Sequence, residues 1–69
     1  MTPHDLRNAM DPDTSHARVI TRSGKVYLVH EDQLEGLDHD GMVYGAPESP
    51  HRRDRITARW VHLRNLTTA

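Results

Sequence analysis

The chain has no cysteine and no phenylalanine, and only one tryptophan and two tyrosines among its 69 residues. Without cysteine, neither a disulfide nor a thiolate zinc site can supplement the core. With apolar residues at 35%, Trp60, Tyr27, Tyr44 and the Val, Ile and Leu residues are expected to supply most of the burial. A single domain of this size stands close to the point where core burial only just offsets the entropy of ordering the backbone. No sizeable internal ligand cavity is therefore expected, and oligomerisation is an available source of extra burial. Long hydrophobic runs are missing as well. Nothing approaches the roughly 20 apolar residues that span a bilayer, and the N-terminus lacks the basic region, apolar stretch and small-residue cleavage site of a signal peptide. The expectation is a soluble, cytoplasmic protein.

The formal net charge of -1 conceals an uneven distribution. Residues 1–48 carry four basic side chains (Arg7, Arg18, Arg22, Lys25) against nine acidic ones, a formal -5, whereas residues 49–69 carry five arginines against Asp54, a formal +4. Such asymmetry fits an anionic partner for the basic part, or mutual neutralisation of the two parts once folded.

Thr2-Pro3-His4-Asp5 reads as a helix start. Thr2 is placed to cap, Pro3 suits the first helical position, and Asp5 can return a bond to the cap. Leu6, Ala9 and Met10 share a face, and Asp11-Pro12 stops the helix, giving a helix over 3–10 and a linker over 11–16. The strongest local signal follows. Arg18 to Thr21 and Lys25 to Val29 are β-branched and aromatic runs folded back at Ser23-Gly24, and a two-residue loop would set Thr21 opposite Val26, Ile20 opposite Tyr27 and Val19 opposite Leu28. A longer loop would shift that register and exchange the two faces. Both faces carry apolar residues, so the sheet is expected to be covered on both sides or closed into a barrel.

Residues 30–41 hold most of the acidic charge and are read as a solvated connection around a short strand near Leu34 and Leu37, ending in a tight turn at Asp40-Gly41. Met42 to Tyr44 is a strand, and Gly45 to Pro50 a loop by its Gly and Pro content. Residues 50–66 are ambiguous between an amphipathic helix, with Ile56, Trp60, Leu63 and Thr67 at helical spacing, and a strand at 55–59, a tight turn at Trp60 to Leu63 and a last strand at 64–68. The β-branched content favours the second.

No motif dictates a chemistry. The six histidines show no metal-binding spacing, and on one helix His51 and His62 would stand ~16 Å apart. Asp38, Asp40 and Gly41 resemble part of a calcium loop, but Gly36 and Pro47 occupy its first and last ligand positions. Ser15 beside His16 has no orienting third group, and phosphate-binding and dinucleotide-binding glycine motifs are lacking. No enzyme activity, cofactor or metal is expected. Arg52, Arg53, Arg55, Arg59 and Arg64 are the candidate binding group, because guanidinium pairs bidentately with carboxylate or phosphate and stacks on rings. Glu31, Asp32, Glu35, Asp38 and Asp40 form a candidate acidic docking patch.

The runs Arg18 to Val29, Leu34-Glu35-Gly36, Gly41 to Gly45 and Arg55 to Leu66 together resemble small bacterial barrels of the Sm-like and Src-homology-3-like type over about residues 17–68. The resemblance implies a mainly β, five-stranded barrel with a glycine at its first turn, a single tight helical turn before its last strand, and a short N-terminal helix. It implies binding of proteins or nucleic acids, in some cases by occupying a larger enzyme. The Asn-containing uracil pocket of Sm proteins has no counterpart at 38–41 or 50–54. The expected function is a non-enzymatic protein-protein interaction module that docks on a larger cytoplasmic protein, with nucleic-acid binding through the arginines of residues 52–64 as the alternative and homo-oligomerisation open.

Overall fold

The computed structural model describes residues 1–37, 41–47 and 58–69. Helix α1 (Pro3–Ala9) begins as its sequence dictates: Thr2 Oγ1 accepts from the Asp5 N–H at 3.1 Å and Asp5 Oδ2 accepts from the Thr2 N–H at 3.0 Å. This reciprocal pair satisfies two of the N–H groups left over at the helix start. Leu6 is the buried residue of α1. Met10 is already extended and opens β1 (Met10–Asp11), one residue before the expected helix end.

The fold is mainly β, with six antiparallel strands in one sheet among the described residues. After β1 come β2 (His16–Thr21), β3 (Val26–His30), β4 (Met42–Pro47), β5 (Arg59–His62) and β6 (Leu66–Thr68). The hydrogen-bonded order is β1-β2-β3-β4-β5, with β6 pairing β2. The count differs from the five strands expected because the last residue read as helix and the first read as linker pair with the sheet, Met10 opposite Ala17 and Asp11 opposite His16. Closure differs too. Among the described residues β5 and β6 do not pair, so their sheet is not a closed barrel; the chain itself links β5 to β6 through a 3-10 turn (Leu63–Asn65).

The β2-β3 hairpin takes the register one residue away from the two-residue-loop alignment: Val19 lies opposite Tyr27 and Ile20 opposite Val26. Thr21 donates to the Lys25 carbonyl at 2.9 Å and Gly24 to the Thr21 carbonyl at 3.0 Å. The loop is thus Arg22-Ser23-Gly24, with Gly24 at φ +89°. A left-handed third loop residue costs glycine little and adds the residue that shifts the pairing. The consequence is a clean division of faces: Ala17, Val19, Tyr27, Val29, Val43 and Val61 point inward with Leu6, Leu37, Leu63 and Leu66.

The connection after β3 is a 3-10 turn (Glu31–Gly36) rather than a strand, and Leu37 beyond it is buried. β4 runs through Gly45 and Ala46 to Pro47, further than the Gly and Pro content suggests. Pro47 is tolerated because it faces Tyr27 at the last pair of the β3-β4 ladder, where the alternation of bonded and non-bonded pairs requires no N–H. The C-terminal part is strand, turn and strand, and the helical alternative fails over residues 58–68. The first strand, the turn and the last strand begin four, three and two residues later than expected, and residues 50–57 lie outside the described set.

One local device occurs twice. Val29-His30-Glu31-Asp32-Gln33-Leu34 and Val61-His62-Leu63-Arg64-Asn65-Leu66 each end a strand on an inward valine, then turn on a histidine whose Nδ1 accepts from the N–H two residues on, at 3.2 Å for His30 and 3.1 Å for His62. A histidine here does what a capping Asn or Asp usually does for the first free N–H of a turn.

Candidate functional site

Strand alternation that points valines inward must send their neighbours outward. On β4 and β5 these neighbours are Met42, Tyr44, Ala46, Trp60 and His62, and Tyr44 and Trp60 are 43% and 60% exposed. Both were expected in the core. Val43 and Val61 occupy the inward positions instead, because Val43 pairs with Val61 and Tyr44 with Trp60.

The two rings lie 5.5 Å apart between centroids with planes inclined at 59°. Their closeness follows from the ladder. The Tyr44 N–H points away from β5 and donates to Gln33 Oε1 at 3.2 Å, so Tyr44 and Trp60 form a non-hydrogen-bonded pair, the kind whose side chains approach most closely. The same parity turns the Trp60 N–H and carbonyl and the His62 N–H to the far side of β5, where no described strand lies. Next to Ala46 on the outer face stands Leu28, half-buried. The result is an aromatic pair at the end of the sheet, beside a strand edge that is open among the described residues.

Gly45 connects this face to the core. A Cβ at Gly45 would lie 3.0 Å from Tyr27 Cβ and 3.1 Å from its Cγ, so only glycine lets the Tyr27 ring press against the β4 backbone. Across β4, opposite Gly45, Arg59 lays its guanidinium 5.9 Å from the Tyr27 ring centroid, within cation-π range.

The expected site residues separate into two groups. Arg59 on β5 and Arg64 in the second 3-10 turn are exposed, Arg59 with its guanidinium carried over Tyr27 toward β3 and Arg64 just past the end of β5; Glu31, Asp32 and Glu35 are exposed on the first 3-10 turn, which Gln33 ties to the opposite flank of β4. The two groups form no ion pair with each other among the described residues. Arg52, Arg53, Arg55, Asp38 and Asp40 lie outside the described residues. His16 and His30 face each other across β2-β3 with ring centroids 5.0 Å apart, and His30 Nδ1 is 3.2 Å from Asp32 Oδ2. Among the described residues no three metal-ligating groups converge. The Asp5 carboxyl is held below its ordinary value, chiefly by the Thr2 backbone N–H and then by the Thr2 hydroxyl. That is a capping effect and belongs to α1.

A shallow depression of about 250 Å³ between α1 and β6 is lined by Asp5, Asn8, Ala9 and Thr68. It brings together no pair of groups suited to acid-base or nucleophilic work. Among the described residues no helix is long and apolar enough to cross a membrane. Sequence reasoning missed Tyr44 and Trp60 as surface residues; the signal that could have found them is the alternation Val43-Tyr44-Gly45 against Trp60-Val61, in which only one phase puts both valines inside. No family model, no curated protein and no solved structure matches this chain.

Proposed function

We propose that the chain is a non-enzymatic protein-protein interaction module of the small Sm-like or Src-homology-3-like kind, which docks on a larger cytoplasmic protein and regulates it by occupying it. The observation that carries this reading is the outward Tyr44-Trp60 pair. Large aromatics left on the surface of a domain short of core residues forgo burial that the fold could use, and such residues are the usual anchors of protein interfaces. The kinship to those barrels is supported by the antiparallel meander, the glycine at its first turn and the 3-10 turn before β6.

Binding to nucleic acid is the second reading, favoured by Trp60 lying between Arg59 and Arg64, since bases stack on aromatics while arginines meet phosphates. Affinity capture from nuclease-treated lysate, run in parallel with wild type, Trp60→Ala and Tyr44→Ala, separates the two. The module reading expects a protein retained by wild type and lost with either variant. Retention of nucleic acid alone, or capture indifferent to both substitutions, would overturn it.

A further inference from the structure

The open side of β5 is chemically specific, and we infer that it receives an extended, acidic segment of the partner protein, added to the sheet as a further strand beside Arg64. This rests on the docking function proposed above and names the form of its ligand. Three features lead to it.

The first is backbone chemistry. The order of the sheet ends at β5, and parity directs the Trp60 N–H and carbonyl and the His62 N–H outward on that side. A row of alternating donors and acceptors at strand spacing matches another polypeptide backbone, and strand addition to exposed edges is a general mode of peptide recognition. A deoxyribose-phosphate chain offers acceptors alone, and the ribose 2′-hydroxyl does not alternate with them at strand spacing.

The second is the difference from the other edges. β1 has two residues, and β6 has three and packs against α1. β5 has four residues and carries the largest exposed side chain, Trp60, beside Tyr44. An added strand would lay one side chain against this pair while its backbone is held by the edge.

The third is charge. Residues 58–69 contain Arg59 and Arg64 and no carboxylate side chain. Glu31, Asp32 and Glu35 stand on the first 3-10 turn, and Gln33 fixes that turn to the flank of β4 that faces away from β5. Arg59 carries its guanidinium over Tyr27 toward β3, so a segment on the β5 side meets the exposed Arg64, which pairs with carboxylates at charge-assisted strength, and a basic segment would be repelled there.

The test uses the full chain and short capped peptides. One alternates valine with aspartate, one alternates valine with lysine, one is the acidic peptide N-methylated on alternate amides, and oligothymidylate is added as a fourth ligand. Trp60, the single tryptophan, reports binding by fluorescence, and amide resonances of Trp60 and His62 report edge pairing. The acidic peptide is expected to saturate the fluorescence change and to shift both amides. N-methylation should abolish binding, and Arg64→Ala should weaken it by about threefold to tenfold, more than Arg59→Ala, whose guanidinium lies over Tyr27, with circular dichroism showing that the variants stay folded. No binding of the acidic peptide, equal binding of the basic or N-methylated peptide, or preference for oligothymidylate would overturn the inference. If the acidic peptide fails while Trp60→Ala still abolishes capture of a protein from lysate, the docking function stands and only its ligand is wrong. Failure of both removes both.

Discussion

Gly45→Ala tests the geometry that joins core to surface. The Cβ it introduces would meet Tyr27 Cβ at 3.0 Å, Cγ at 3.1 Å and Cδ1 at 3.2 Å, all inside ordinary carbon contact of about 3.5–4.0 Å. Tyr27 is 2% exposed, so its ring cannot swing into solvent; either β4 moves from β3 or the ring leaves its rotamer. Overpacking of this kind costs about 1–3 kcal/mol. Against it stands the reduced freedom of the unfolded chain, about 0.4–1 kcal/mol in favour of alanine, which leaves a net loss of roughly 1–2 kcal/mol. For a domain of this size the melting temperature should fall by roughly 4–16 °C. Gly36→Ala is the matched control, because a Cβ there meets nothing within 4 Å and its backbone is not left-handed. It should be neutral or slightly stabilising. Thermal melts by circular dichroism suffice, with a cycle that adds Tyr27→Val to relieve the contact: Gly45→Ala should then cost less in the double variant than alone. Equal melting temperatures for Gly45→Ala and Gly36→Ala, or strict additivity with Tyr27→Val, would refute the packing of Tyr27 on β4.

Trp60→Ala should cost less than about 1.5 kcal/mol, the scale of one aromatic pair, against about 3–5 kcal/mol for a tryptophan removed from a core; urea titration decides, and strong acrylamide quenching of the wild-type fluorescence should accompany it. His62→Ala removes the acceptor for the Arg64 N–H and should cost about 0.5–2 kcal/mol, whereas His62→Asn supplies another acceptor and should recover much of that in the same denaturation assay. Asp5 has a folded-state value depressed below 3.8. Its stabilising effect is therefore fully present above that ordinary value and is lost as pH falls through the folded-state one. The stability difference between wild type and Asp5→Asn should accordingly be steady near neutrality and shrink in acid; a difference that grows on acidification would contradict the capping role.

How much was legible from sequence varied with the range of the interaction responsible. The α1 start needed only Thr2, Pro3 and Asp5, all within one turn, and it formed as read. The hairpin was legible as a hairpin, but its register hung on whether Gly24 closed a two-residue or a three-residue loop, a difference of one left-handed residue. The short strand expected near Leu34 became a 3-10 turn because His30 could cap it and Leu37 could be buried beyond it. Trp60 and Tyr44 were misassigned for a different reason. Composition says that scarce aromatics belong in a core, and only the pairing of Val43 with Val61 on the inner face sends them out. The division of Arg59 and Arg64 from Glu31, Asp32 and Glu35 was likewise invisible, since opposite charges in one small chain could equally have met.

The sequence by itself determined that the chain is mainly β, begins with a capped helix, and draws on no disulfide for its stability, since these follow from residue types and neighbours a few positions apart. Only the tertiary structure decided which face each strand turns inward, that among the described residues the sheet stops at β5 without closing, and that the one tryptophan stands on the surface at that end. Those outcomes depend on register, and register is settled when valines from distant strands compete for one small interior.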